Sequence, residues 1–486
     1  MTLGCDRVMT PEDLSGAPVL VAGAGVSGLA AAAALVEVGA RVTVTDARPA
    51  ALADLPPGAE PGDDPDGVPA GTALVVTSPG RRPDHPLVAA AAAAGAPLVG
   101  EPELAWWLGR AMQRPPVWLA VTGTNGKTTT TGMLAAMLRA AGRDAVACGN
   151  IGYPVVEAVR VGHEVLAVEL SSFQLHWSPS IRPLAGCVLN VADDHLDWHG
   201  SLAAYAAAKA RALRADVAVA GVDDPAAAAL LAAAPAPRRI GVTLAEPAPD
   251  QLGVVDGVLV DRAFDGGPLV EAAVVHPAGA PGITDALAAA ALARAVGVGP
   301  DAVHAGLDDF RPGPHRGGVV ATVGGVRYVD DSKATNPHAA AASLAAQAPA
   351  PIVWIVGGLL KGASVDDLVA RHARGLRAAV VIGSERAEII AALARHAPDL
   401  PVAEVVPGDD ATMSDANPPD AGSDAATSTT VMTSAVRRAA ALARPGDVVL
   451  LAPAAASMDQ FADYAERGLR FAEAATALGT TPGTAP

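Results

Sequence analysis

Short apolar runs recur along the chain, each followed by a Gly-rich or polar turn and then an Ala/Leu stretch with helical spacing. Pro18-Val-Leu-Val-Ala22 reads as a buried strand, Gly23 to Gly28 as a tight turn, and the residues through Ala40 as a helix. Arg41 to Thr45 reads as a second strand ending at Asp46. Strand, helix, strand in this order predicts a parallel βαβ unit. Further strands are predicted at Leu74 to Thr77 and Pro97 to Gly100, before a linker, Gln113-Arg-Pro-Pro116. The middle region opens with a strand, Val117 to Thr122, a Gly-rich loop, and a helix from Lys127 to Ala141. Strands near Ala145 to Cys148, Val165 to Leu170 and Leu184 to Val191 follow, with a helix across Ala203 to Leu213. After a second linker, Arg311 to Arg316, strands are expected at Val326 to Val329, Ile352 to Val356, Ala378 to Ile382, Val402 to Val406 and Val448 to Leu451. Gly408 to Thr430 is rich in Asp, Ala, Ser, Pro and Thr and reads as a disordered surface insertion. The pattern predicts an α/β protein of three domains, residues 1–113, 114–314 and 315–486.

Length agrees, because 486 residues exceed what one hydrophobic core usually organises. Half the residues are apolar and 17% are charged, which excludes a disordered chain. The net charge is −17 and no basic run occurs, so a nucleic-acid partner is not expected. Cys5, Cys148 and Cys187 are too few and scattered for a disulfide framework or a zinc site. There is no signal-like N-terminus, and the longest Ala/Leu run, Ala286 to Ala293, is far shorter than the roughly 20 residues a membrane span needs. A cytoplasmic protein without a membrane partner is expected. The 34 basic residues include only four Lys: Lys127, Lys209, Lys333 and Lys361. Where Arg has replaced nearly every Lys, the survivors should mark places that need a compact ammonium or an amine nucleophile.

The chemistry-bearing segments follow predicted strands. Thr122-Gly-Thr-Asn-Gly-Lys-Thr-Thr129 lies between a strand and a helix, where loop N–H groups and a helix N-terminus cradle phosphates. In this P-loop Lys127 is placed to reach the β/γ-phosphates and Thr128 to ligate Mg²⁺. The common G-x-x-x-x-G-K spacing fails, because Val121 holds the first Gly position. Gly23-x-Gly25-x-x-Gly28 with Asp46 is a nucleotide-type fingerprint and makes the first domain Rossmann-like. Glu169-Leu-Ser-Ser-Phe-Gln174 sets a carboxylate at a strand end, suited to Mg²⁺, and Asn190 to Asp197 sets His195 among carboxylates. In the last third, Asp330 to Asn336, Gly357 to Lys361 and Ala452 to Phe461 each follow a strand of a second Rossmann-like domain. Strand ends of such sheets bind ligands, so Lys333, Thr335, Lys361 and Ser457 are expected to form a carboxylate pocket.

Together these segments resemble the Mur ligases, the ATP-dependent amino-acid-adding enzymes of peptidoglycan synthesis. The resemblance rests on Gly123 to Thr129, Gly149-Asn-Ile-Gly152, Glu169 to Gln174, the His195 segment, Lys209, His315-Arg316 and Asp330 to Asn336. Asp-Ser-Lys-Ala-Thr-Asn at 331–336 and Ser-Met-Asp-Gln-Phe at 457–461 are similar to motifs of its D-glutamate-adding branch. A folylpolyglutamate synthetase shares a similar P-loop, but the Gly23 fingerprint domain does not suit it. An NAD-dependent oxidoreductase leaves the P-loop and the His195 cluster without a task.

The resemblance implies UDP-MurNAc-L-Ala, D-glutamate and ATP as small-molecule partners, a monomer, and an acyl-phosphate intermediate. It implies that Val26, Ser27, Asp46 and Arg48 hold the UDP, with Ser171, Gln174 and His195 toward the muramoyl-alanine end. ATP would be held by Gly123, Thr124, Asn125, Gly126, Lys127, Thr128, Thr129 and Asn150, with Asp285, Arg316, Asp331 and Lys333. Two Mg²⁺ ions would sit around Thr128, Glu169, His195 and Lys209, the last as a CO2-derived carbamate. Lys127, Glu169, His195 and Lys209 are thus the expected catalytic set. Thr335, Lys361, Ser457 and Tyr464 would orient D-glutamate. Asp285 stands where the family has Asn, and it can accept hydrogen bonds but not donate as an amide does.

Overall fold

A computed structural model describes residues 8–63, 66–264, 266–406 and 424–479. Three sheets carry the fold. The first contains β1 (Pro18–Ala22), β2 (Arg41–Thr45), β3 (Ala59–Pro61), β4 (Leu74–Thr77) and β5 (Leu98–Gly100), in the order β3-β2-β1-β4-β5. All its pairings are parallel, and β1 and β4 flank the point where the strand order reverses. Strands of this kind are covered on both faces, so β4 is buried along its whole length and β1 from Val19 on.

The second sheet has nine strands: β6 (Val117–Thr122), β7 (Ala145–Gly149), β8 (Val165–Glu169), β9 (Ala185–Val188), β10 (Val217–Gly221), β11 (Arg238–Val242), β12 (Gln251–Val255), β13 (Val258–Asp261) and β14 (Gly267–Glu271). Their order is β14-β13-β12-β11-β10-β9-β6-β8-β7, so β6, which carries the P-loop, lies between β9 and β8. The sequence reading did not identify β10 to β14. Ala dilutes the apolar signal in β10, but the β12–β13 hairpin had one: Asp256-Gly257, both at positive φ, is the dipeptide two-residue hairpins favour. Strand β9 stops at Val188, earlier than expected, which leaves Asn190 in the loop beside β6.

The third sheet contains β15 (Gly318–Val323), β16 (Val326–Asp330), β17 (Ile352–Gly357), β18 (Leu376–Ile382), β19 (Val402–Glu404) and β20 (Val448–Leu451), ordered β15-β16-β20-β17-β18-β19. One expectation is corrected here. The insertion predicted at 408–430 ends inside a helix, Asp424–Leu442, and its remainder lies outside the described residues. Val431, Met432, Ala435, Val436 and Ala439 recur at helical spacing and pack with Val380 and Val449, so apolar periodicity overrides the polar composition of 424–430.

Two compact units result: residues 1–191 with 198–310, and residues 311–486 with 192–197. The first two sheets therefore belong to one unit despite the Pro-rich segment between them. A single apolar cluster runs from Val21, Leu35 and Val44 through Trp107 to Trp118, Leu166 and Leu175. Two buried carboxylates on the helix Glu101–Ala111 fasten that junction. Glu103 accepts hydrogen bonds from the Trp107 indole (3.0 Å), the Ser180 hydroxyl and the Ser180 backbone (3.1 Å). Glu101 accepts the Val156 N–H at 2.6 Å, capping the helix Val155–Val161 from outside.

Burial pushes the Glu101 carboxyl up to about 7, against the lowering effect of the Val156 and Val155 N–H groups, with Glu157 adding to the rise. Its folded value lies above its unfolded one near 4.5. The contribution is thus fully present below about 4.5 and is lost as the pH rises through about 7. Glu101→Gln does not ionise. Between pH 5 and pH 8 the parent should lose stability relative to this variant, by on the order of 2–3 kcal/mol. Melting temperatures of the two across that range check it, and parallel profiles would contradict it.

Candidate active site

The loop between β6 and the helix Lys127–Ala140 is held by hydrogen bonds from several elements. Gly126 caps the helix at φ 86°, and a Cβ there would collide with the Asp285 carboxylate as well as strain the backbone. Asn190 clamps the loop. Its carbonyl accepts from Thr124 N (3.0 Å), its Oδ1 from Asn125 N (2.9 Å), and its Nδ2 donates to the Asn125 carbonyl (3.2 Å). Lys127 Nζ donates to the Gly123 and Thr124 carbonyls at 3.0 and 2.8 Å. Lys209, on the helix Leu202–Ala210 and only 1% exposed, donates to the same Gly123 carbonyl at 2.7 Å. Its Nζ also lies 4.3 Å from the centre of the Tyr205 ring, whose hydroxyl pairs with Thr124 Oγ1 at 3.1 Å. Thr128 is partly exposed at the second helical position and Thr129 is buried.

Glu169 ends β8 and is buried. Asn150 is bound to it twice, Nδ2 donating to Oε1 at 2.8 Å and the backbone N–H to the Glu169 carbonyl at 2.9 Å. A Cβ at Gly149 would run into that carbonyl, so the Gly149–Gly152 segment and Glu169 form one block. Glu169 Oε2 is buried with no hydrogen-bond partner among the described residues. A carboxylate oxygen so placed calls for a cation. No group of three His, Cys, Asp or Glu that would hold a metal forms among the described residues; the expected set has only two such side chains. Ser171 and Gln174, expected toward the substrate, form a capping box at the start of the helix Ser172–His176.

In the first sheet, Asp46 spends its carboxylate on the Gly-rich turn. Oδ2 accepts the Ala24 N–H at 2.9 Å and Oδ1 the Arg48 N–H at 2.9 Å, and these bonds hold its pKa below the usual range. Val26 is 66% exposed at the start of the helix Val26–Glu37, with Ser27 beside it. Arg48 is largely exposed.

In the second unit, three loops follow the adjacent strands β16, β20 and β17, and hydrogen bonds stitch them together. Ala454 N donates to Ala334 O, and Leu359 and Ala456 exchange both backbone bonds at 2.9 Å. This brings together the segments of Lys333 and Thr335, of Lys361, and of Ser457, as expected from the sequence. Lys333 Nζ lies 3.7 Å from the centre of the Tyr464 ring. Arg467, 1% exposed, holds two of the loops. Its guanidinium donates to Ser332 Oγ (3.0 Å), Ser332 O (2.9 Å) and Ala455 O (3.1 Å), and burial pulls it down to about 9. Asp330 accepts from Ser332 N (3.0 Å) and pairs with His315 Nδ1 (2.6 Å). Asp331 is pushed up to about 7, first by burial and then by Asp330, with Arg316 opposing. His195, His315 and Lys361 all have positive φ (55°, 63° and 54°), a conformation L-residues keep only where surroundings enforce it. His195 lies 3.6 Å from Asp194, in the 192–197 segment of the second unit.

Asn190, Tyr205, Ser332 and Arg467 were not singled out from the sequence. In a chain with 30 Arg, Arg467 carries no signal of its own. Asn190 and Tyr205 act across 65 and 81 residues, which only the fold reveals.

Residues 121–251 match the Mur ligase middle domain and residues 315–455 the Mur ligase glutamate ligase domain. Residues 9–60, the first βαβ unit, match the alanine dehydrogenase/PNT C-terminal domain. The chain is 54% identical to the UDP-N-acetylmuramoylalanine–D-glutamate ligase of Nocardia farcinica, covering 96% of this chain and 98% of that protein. It is 55% identical to the enzyme of that name from Mycobacterium avium, covering 95% and 97%. Among solved structures, the fold is shared with UDP-N-acetylmuramate-alanine ligase of Thermotoga maritima (TM-score 0.57, 18% identity, 95% and 99% covered). It is shared likewise with MurF ligase of the same organism, solved with ADP (TM-score 0.55, 16% identity, 97% of both chains). With identity above half along nearly the whole length, and the P-loop, Glu169 block and stitched C-terminal loops in place, the chain belongs to the Mur ligase family.

Proposed function

We propose that this chain joins D-glutamate to UDP-N-acetylmuramoyl-L-alanine, using ATP and an acyl phosphate, in the cytoplasmic assembly of peptidoglycan precursors. The observation that carries the reading is the convergence of Lys127 and Lys209 on the carbonyl of Gly123, with a buried Glu169 oxygen at the end of the neighbouring strand that has no donor among the described residues. The names of the relatives that match end to end support the choice of D-glutamate.

The chemistry follows from charge. A carboxylate oxygen of the substrate attacks the γ-phosphorus of ATP and ADP leaves. The amine of D-glutamate then attacks the acyl carbon, and phosphate departs from the tetrahedral intermediate as the nitrogen loses its proton. The first step brings two anions together, which fixed cations and N–H dipoles must screen. Lys127 and the loop N–H groups supply part of that screening. The residues fit a divalent cation: Thr128 and Glu169 would hold it, and it would neutralise phosphate charge. Lys333, Thr335, Lys361 and Ser457 offer donors for the two carboxylates of D-glutamate.

Lys209 has a second role in this reading. Two ammonium groups on one carbonyl oxygen cannot be more than about 6 Å apart, which costs about 3 kcal/mol at an effective dielectric of 20. Carbamylation of Lys209 turns that repulsion into attraction, and the carbamate keeps one N–H for the Gly123 carbonyl. The Tyr205 ring works the other way, since its face favours a cation. The carbamate carboxylate adds the oxygen ligand that a metal site built on Thr128 and Glu169 lacks.

Phosphate release from ATP should require UDP-MurNAc-L-Ala, D-glutamate and Mg²⁺ together. A coupled phosphate assay with each component omitted checks this, and equal turnover with L-glutamate or meso-diaminopimelate would argue for another substrate. Lys209→Ala should lower kcat by at least about a hundredfold, as loss of a catalytic electrostatic group does. Formate or acetate should restore part of the rate if a carbamate is the missing group. A large loss with no restoration removes the carbamate.

A further inference from the structure

A largely desolvated arginine outside the assignments above keeps an unpaired N–H. Arg81 lies in the loop after β4, at the reversal of strand order beside β1, where open parallel sheets take their ligands. The loop is fixed on both sides. Ser78 donates to the Ala22 carbonyl through its N–H and its hydroxyl at 3.1 Å, and a Cβ at Gly23 would overlap the Ser78 hydroxyl. On the other side the Trp198 indole donates to Gly80 O (3.1 Å) and the Trp177 indole to Arg81 O (3.3 Å). The backbone that carries Arg81 is thus fixed by contacts that make no use of its guanidinium.

Its own partners leave donors over. Arg81 Nη1 lies 3.1 and 3.0 Å from the two ring nitrogens of His85 and 3.8 Å from the exposed carboxylate of Asp66. His85 Nδ1 already accepts the Leu87 N–H at 3.2 Å, as the cap of the helix Pro86–Ala93. Arg81 Nε is buried and has no hydrogen-bond partner among the described residues. The side chain is 14% exposed, against 77% for Arg48, whose Nε points back to Asp46. Burial lowers the Arg81 pKa, and the carboxylates of Asp66 and then Asp46 oppose that effect. A largely desolvated fork with an unpaired N–H, in a loop packed on a glycine turn at a strand-order reversal, suits a phosphate oxygen pair.

We propose that Arg81 binds the diphosphate of the UDP-linked substrate, and that it, more than Arg48, supplies the charge that separates a nucleotide diphosphate from a nucleoside. The inference rests on the substrate reading given above. Its selectivity comes from the guanidinium N–H groups that His85 does not engage, which reach phosphate oxygens while Nη1 stays on His85.

Calorimetric titration of UDP and of uridine into the full-length parent, Arg81→Gln, Arg81→Lys and Arg82→Gln tests it. Arg82 is half exposed and pairs with Asp84 at 3.1 Å. The parent should prefer UDP over uridine by at least about a hundredfold. Arg81→Gln should cut that preference about tenfold or more while leaving uridine affinity within about twofold, the loss expected for a charge-assisted hydrogen bond. Arg81→Lys should fall between, and Arg82→Gln should match the parent. KM for UDP-MurNAc-L-Ala should rise in Arg81→Gln, with KM for ATP and D-glutamate unchanged. An unaltered preference in Arg81→Gln with a parent-like melting temperature overturns the inference while leaving the substrate reading intact. If Arg81→Gln does not fold, an unaltered preference in Arg81→Lys overturns it equally. A parent that does not prefer UDP defeats the substrate reading itself.

Discussion

The carbonyl oxygen of Gly123 organises the site. It points into the loop between β6 and the following helix, and two of the four lysines donate to it. Everything else around the loop serves to keep that oxygen and its neighbouring N–H groups in place. Gly126 takes the left-handed turn that starts the helix, Asn190 clamps the loop from β9, and Tyr205 joins Thr124 to Lys209. An arriving triphosphate would compete with that oxygen for the Lys127 ammonium. The Glu169 block beside it supplies the opposite charge for a divalent cation, so anion and counter-ion sites lie on neighbouring strands of one sheet.

The first two sheets share one compact unit and one apolar cluster. Glu103 and Glu101, buried on one helix, spend their carboxylates on backbone N–H groups of the second sheet's flanking segments, and the indoles of Trp177 and Trp198 hold the loop that carries Arg81. Burying carboxylates costs stability unless they are hydrogen-bonded, and the raised values of both glutamates record that cost. What is gained is a fixed separation between the crevice of the first sheet and the P-loop. In the second unit Arg467 has the corresponding task, since one buried guanidinium sets the spacing of the loops after β16 and β20.

The parts legible in the sequence were those whose signal is local. Alternation of apolar strands and Ala/Leu helices pointed to the three α/β sheets, and a lysine-poor composition pointed to four positions, two of which meet on the Gly123 carbonyl and two of which lie in the stitched loops of the second unit. Asn150 and Glu169 were both identified, though their double hydrogen bond was not. The misses share a cause. Arg81 and Arg467 differ from 28 other arginines only in what surrounds them, and Asn190 and Tyr205 meet the P-loop through space. Residues 424–430 were misjudged on composition, because helix formation there is decided by apolar spacing that begins at Val431.

The central claim is that the terminal phosphate of ATP passes to the substrate carboxylate before any amide forms. It is tested most directly by supplying UDP-MurNAc-L-Ala whose alanine carboxylate carries oxygen-18, with ATP, Mg²⁺ and D-glutamate, and weighing the phosphate released. Transfer through an acyl phosphate predicts one labelled oxygen in each phosphate formed. Unlabelled phosphate alongside normal product would contradict it.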